Sequence, residues 1–192
     1  MKDHLKIAIR FTIVTTIIFG LLYPLTLTGL SQLLFPRQSN GSLIANGSSV
    51  AGSTLIGQAF TTDKYFHSRP SNAGAGYDAN SSGSSNLAPT NKQLVDRVHG
   101  DVLKLQQENP GQPIPVDLVT ASGSGLDPDI SPAAATFQIA RVAKARRITA
   151  DQLRALVQTH LQPRQFGLFG EPRVNVLELN LDLDTKYPVT NP

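Results

Sequence analysis

The chain of 192 residues has no cysteine and no tryptophan, a single methionine, and only 16% charged residues. Without thiols it can form neither a disulfide nor a thiolate metal centre, and its redox compartment stays open. The four histidines, His4, His67, His99 and His160, show no metal-ligand spacing. No GxSxG elbow surrounds any serine and no GxxxxGK[ST] phosphate loop occurs. Charge of one sign is scarce as well. The net +3 is already present before residue 40, where Lys2, Lys6, Arg10 and Arg37 face Asp3 alone. The remainder is balanced, so it has no excess of positive charge for nucleic acid. With no catalytic constellation and no metal set, the residues point to binding or assembly.

What the chain does have is a long uncharged run, FTIVTTIIFGLLYPLTLTGLSQLLF, Phe11 to Phe35. As a helix it is about 37 Å long, against a hydrocarbon core of about 30 Å. A cleaved signal peptide fits less well: the run is too long, and Ser49-Val50-Ala51, which resembles a cleavage site, lies too far beyond it. Three bases before the run and one after it place the N-terminus in the cytoplasm. The expected order is a cytoplasmic N-terminus (1–10), a transmembrane helix (11–35), a linker (36–52) and an extracytoplasmic domain (53–192). Within the span, Thr12, Thr16, Phe19, Gly20, Tyr23 and Thr26 make one semi-polar face, suited to partner helices. The alternative is that the threonines bond their own backbone. Pro24 should kink the helix.

The outer part reads as one small α+β domain. TLIGQAF (54–60) and IPVDLVTAS (114–122) suggest strands, and 68–91 is a long loop rich in turn formers. Thr90-x-x-Gln93 is a capping box before the stripe Leu94, Val98, Val102 and Leu105. Ser131 and Pro132 start a helix to about Arg147, and Thr149-x-x-Gln152 caps another that ends before Pro163. RVNVLELNLDL (173–183) favours a strand, with a helix from near Asn175 as the alternative. QIARVAKARRITADQLRALV (138–157) looks superficially like a helix-turn-helix, but an external location makes a solvated or protein-binding basic face the better reading.

The stretch SGSGLDPDISP (122–132) invites a ligand-site reading. It has no lysine for phosphates, and its aspartates would repel them; it also lacks the third carboxylate and final glutamate of a calcium loop. A structural joint or partner contact explains every residue: Gly123 and Gly125 turn the chain, and Asp127 and Asp129 sit near a helix start.

Taken together, YPLTLTGLSQLLFP, NGSLI, LIGQAF, FHSRPS, SGSSNLAPTN, PVDLVTASGSGLDPDISPAAATFQIARVA and GEPRVNVLELN cover nearly the whole chain. In that order they resemble the C-subunit family of Kdp-type potassium-transporting P-type ATPases. The resemblance implies an accessory, non-catalytic chain of a bacterial inner-membrane pump, assembled with a channel-like potassium-translocating subunit and an ATP-hydrolysing subunit. Neither TVGYG nor DKTGT is present. It also implies a catalytic-chaperone role that raises ATP affinity, no cofactor of the chain's own, and ATP only in a ternary complex. Ser122, Gly123, Ser124, Gly125, Asp127, Gln138 and Arg141 are then the candidate nucleotide or partner contacts. Asp129 stands where many members carry histidine. An external loop cannot meet cytoplasmic ATP, which makes an indirect effect the better expectation. The rival classes are an independent membrane-anchored extracytoplasmic binding protein, which needs an apolar pocket, and a tethered transcription regulator.

Overall fold

The computed structural model describes residues 2–47 and 49–188; Met1, Ser48 and 189–192 of the segments expected above lie outside them. The chain divides into two compact units, up to Leu43 and from Ile44 onward.

In the first unit α1 (Lys2–Thr15), a π-helical stretch (Thr16–Leu22) and α2 (Tyr23–Leu34) run on as one apolar helix of 33 residues, none of them buried. Helix therefore begins well before Phe11. The π-helical stretch lies directly before Pro24, whose ring would clash with the carbonyl four residues back in a regular helix; wider turns relieve that clash. Phe35 leaves the helical region, and Pro36 opens the short α3 (Pro36–Ser39).

The second unit mixes short strands with helices, an α+β arrangement. Part of the expected linker is structured: β1 (Leu43–Asn46) pairs with β2 (Ser49–Ser53). Gly47 between them has φ +62°, which suits a tight hairpin turn. Then follow α4 (Lys92–Glu108), a 3₁₀ turn (Val116–Leu118), β3 (Asp129–Ile130), α5 (Pro132–Arg146), α6 (Ala150–Thr159), β4 (Leu161–Gln162), β5 (Arg173–Asn175) and α7 (Val176–Lys186). The three-stranded sheet is antiparallel in the order β3-β5-β4, with Ile130 and Leu161 both opposite Val174. Ile130, Val142, Leu153, Val174, Leu179 and Leu183 form the centre of the core. Each such burial contributes roughly 1.5–3 kcal/mol.

The caps on α5 and α6 stand as expected: Ser131 Oγ accepts from Ala134 N at 3.0 Å, and Thr149 with Gln152 forms a complete capping box. At α4 the cap moves one residue on, to Asn91, whose Oδ1 accepts from Gln93 N. The α4 stripe is only half-buried. Two strand expectations fail, and in 173–183 the alternative of a helix from near Asn175 is the one that stands. Residues 54–60 form no strand; their backbone is held piecemeal, as where Gly57 N donates to Leu126 O at 2.8 Å. Residues 114–122 hold only the 3₁₀ turn after Pro115. In 173–183 the strand stops at Asn175, whose side chain accepts from Glu178 N and starts a helix that buries Val176, Leu179 and Leu183.

Candidate functional site

Gln138 sits in the middle of α5 with 1% of its surface exposed. Its Oε1 accepts from His67 N and from Arg141 Nη2, both at 2.7 Å, and its Nε2 donates to His67 O at 3.1 Å and to Ala134 O at 3.3 Å. One residue earlier in the chain, Asn180 of α7 does the same for Phe66: Phe66 N donates to Asn180 Oδ1 and Asn180 Nδ2 donates to Phe66 O, each at 2.9 Å. Two buried amides thus take the place of a neighbouring strand for an extended segment that has none. A third, Asn175, donates to Thr54 O at 2.9 Å and to Asp129 Oδ1 at 3.2 Å. Each satisfies backbone groups that would otherwise be costly to bury.

Arg141, one turn beyond Gln138, is likewise occupied. Its Nε donates to Glu108 at 2.7 Å, and Nη1 donates to Asp63 O at 2.9 Å and to Tyr65 O at 3.0 Å. Arg146 follows the pattern, with its side chain 1% exposed and bonds to Asp184, Lys64 O and Tyr187 O. The expected solvated basic face over 138–157 therefore needs correcting. Arg141 and Arg146 turn inward to fix the 63–67 backbone, while Lys144, Arg147 and Arg154 face water.

Gln138 and Arg141 line a cavity of about 380 Å³ between α4, α5 and the 60–70 segment. Its wall also carries Asp63, Asp101, Lys104 and Glu108 beside Phe60, Leu105 and Leu118, so charged and apolar groups share it. His67 and Ser68 belong to it. Burial pushes the His67 imidazole below its ordinary pKa, and the Arg141 charge adds to that. Its Nε2 lies 3.0 Å from Thr62 O, where a neutral ring donates. The Ser68 hydroxyl is buried and has no hydrogen-bond partner among the described residues. With the ring turned to Thr62, these neighbours do not make a nucleophile–base pair. Among the described residues no group of three or more His, Asp or Glu is placed to hold a metal ion.

The SGSG loop does not join this cavity. It meets the 68–91 loop instead: Gly83 N donates to Ser124 O at 2.8 Å, Ser82 Oγ to the same carbonyl at 3.0 Å, and Ser71 Oγ to Gly125 O at 2.5 Å. Gly125 has φ +68°, and a Cβ on it would lie 2.6 Å from Gly83 O. Ser122 and Ser124 are tied within the loop, while Gly123 is open to solvent. Asp127 and Asp129 do not serve the α5 dipole. Asp127 pairs with Arg69 at 3.0 Å and Asp129 with Arg173 at 2.9 Å. The carboxylate at the start of α5 is Asp117, which accepts from Ser131 N at 2.7 Å and from Ser131 Oγ at 3.1 Å. Sequence reasoning passed over Asp117 inside a segment it took for a strand. Burial raises the Asp129 pKa against the opposing pull of Arg173. The candidate residues thus fall in two places, Gln138 and Arg141 on the cavity and 122–127 at the loop junction.

On the first unit, Thr12, Thr16, Phe19, Gly20, Tyr23 and Thr26 are all exposed. Thr15, off that face, bonds its own helix at Phe11 O, 2.8 Å away.

The family model for the c chain of the K+-transporting ATPase matches residues 5–185. The chain belongs to the KdpC family. It is 55% identical over 192 residues to the potassium-transporting ATPase KdpC subunit of Koribacter versatilis, and 54% identical over 193 residues to that of Rhodospirillum rubrum, in both cases over 100% of each chain. A third, from Acidobacterium capsulatum, is 55% identical over 96% of this chain and 100% of its own. The match begins inside the apolar helix and ends inside α7, so both units belong to the family and neither is an appendage.

Proposed function

We propose that this chain is an accessory, non-catalytic subunit of an ATP-driven potassium uptake pump of the bacterial inner membrane. It spans the membrane once by the Lys2–Leu34 helix, with the N-terminus in the cytoplasm and the second unit outside. Its partners are a channel-like potassium-translocating subunit and an ATP-hydrolysing subunit, and it binds no cofactor of its own. The observation that carries this reading is the helix itself: 33 residues with an uncharged run from Phe11 onward, uncovered on every side, in a chain matched end to end by its relatives. The semi-polar threonine face suits helix packing in lipid, where small and hydroxylated side chains lie at contacts.

Any rise in ATP affinity is an effect of assembly in this reading. The polar atoms of Gln138 and Arg141 are engaged with partners inside the domain, and using them for phosphates would orphan the His67 backbone and Glu108. The test is purification of the assembled pump through a tag on another subunit. This chain should appear at fixed stoichiometry, and protease added to right-side-out vesicles should digest it beyond Gln38. Its absence from the complex, or protection of the second unit, would overturn the assignment.

A further inference from the structure

Between β4 and β5 the chain makes the excursion PRQFGLFGEP, Pro163 to Pro172. Gln165 and Phe169 bridge each other, each N–H donating to the other's carbonyl at 2.9 Å; Gly167 N donates to Arg164 O and Leu168 N to Gln165 O. The turn is closed on itself, yet it sets its large apolar side chains in water: Phe166 is 88% exposed, Leu168 69% and Phe169 61%. Phe166 moreover has φ +55°. A bulky aromatic is an outlier there, and asparagine or glycine would take that position more readily. The fold gains little burial from these side chains and holds one of them strained, which suggests a role outside the domain.

We propose that the 164–171 turn is a docking knob whose Phe166, Leu168 and Phe169 enter an apolar pocket on the extracytoplasmic surface of another chain of the pump. This rests on the membrane-subunit reading above. The exposed area of the three side chains is on the order of 400 Å², about half of the 800 Å² or so per partner that a free-standing association buries. A second copy met in solution would have too little to hold. A partner already tethered alongside through the membrane helix needs no more, because the contact is then intramolecular in effect. The base of the turn carries closed ion pairs, Arg164 with Glu171 at 2.6 Å and Arg173 with Asp129 at 2.9 Å. That is an apolar centre with a neutral polar rim, as at protein contacts, with no unpaired cation to favour anionic headgroups. The self-bonded backbone lets the tip lose water with few unpaired N–H groups.

The experiment uses the complete pump in nanodiscs, with benzoyl-phenylalanine placed at position 166 and, as a control, at exposed Lys92. Presence of this chain in the purified complex is read first, and its absence would sink the subunit reading together with the knob. With the chain present, light should join position 166, and not position 92, to a different pump chain. Separately, Phe166→Asn should leave the melting temperature of the chain unchanged or higher, while its dissociation from the pump on dilution becomes roughly tenfold faster, the scale of a lost anchor. Adducts only with lipid, only with a second copy of this chain, or no more at 166 than at 92 would overturn the proposal. An unchanged dissociation rate in Phe166→Asn would do the same.

Discussion

The SGSG loop and the 163–172 turn are both glycine-bearing excursions with left-handed residues, and they use that geometry for opposite ends. At the loop, Gly125 brings its backbone against Gly83 and Ala73, where a Cβ would meet Gly83 O at 2.6 Å and Ala73 N at 2.7 Å. At the turn, Gly167 has nearly the same φ, +72° against +68°, with nothing within 4 Å. One glycine permits close packing of two loops, the other only reverses the chain. The loop is therefore part of what holds the domain together, and the turn is surface the domain can spare.

Substituting the two glycines tests that contrast directly. Gly125→Ala carries the left-handed penalty, about 1–2 kcal/mol, and pushes away the 71–83 loop, whose Gly83 O and Ala73 N the methyl would meet, so a loss of about 3–4 kcal/mol is expected. Gly167→Ala carries the first cost alone, about 1 kcal/mol. Equilibrium unfolding of the two variants separates them, and equal losses would mean the loop junction contributes nothing beyond its backbone geometry.

Gln138→Leu comes next. It keeps most of the volume but leaves His67 N, His67 O and one Arg141 nitrogen without their partner. A loss of about 2–3 kcal/mol is expected, with ATP affinity unchanged in those pumps that still assemble. A variant that folds at parental stability and yet weakens ATP binding would restore direct nucleotide contact. Ser131→Ala removes the cap on Ala134 N and one bond to Asp117, for about 1–2 kcal/mol by urea denaturation. A loss well under 0.5 kcal/mol would show that Asp117, bonded to Ser131 N, holds the helix start unaided.

These residues also mark how far the sequence could be read. Ser131 with Pro132 and Thr149 with Gln152 were legible because a cap involves neighbours three residues apart. The 54–60 and 114–122 segments were misread because their apolar, β-branched content suits any half-buried chain, and nothing local says that their partners are scattered side chains, single distant carbonyls and a 3₁₀ turn instead of a neighbouring strand. Gln138 and Asn180 reach residues 71 and 114 positions away, a relation no periodicity encodes. In 173–183 the alternation that suggested a strand is also compatible with one buried helical face, and only the side chain of Asn175 decides between them. Among the candidate site residues, 122–125 were rightly seen as turn-forming, while Asp127, expected at the helix start, pairs with Arg69 instead. That Gln138 and Arg141 lie on a cavity away from that loop was invisible, since α4 and the 60–70 segment complete the cavity from elsewhere in the chain.

The smallest effect expected is in pH, and it sharpens the difference between the cavity wall and the sheet edge. His67 is held below its ordinary pKa first by burial and then by Arg141, with Lys104 acting in the same sense and Glu108 opposing. The unfolded chain therefore binds this proton more readily than the folded one. Stability should be full above about pH 6.5 and should fall as pH drops from there toward the folded-state value. Asp129 at the sheet edge works in the other sense: burial raises its pKa, so protonation on acidification favours the folded chain, in a lower pH range. Measuring urea midpoints between about pH 7.5 and 5.5 in an Asp129→Asn background isolates the histidine. His67→Gln, which can still donate to Thr62 O, should flatten the slope in that window. A slope that persists in the double variant would place the titrating group elsewhere, and the neutral ring against Thr62 would no longer account for how the cavity wall is held.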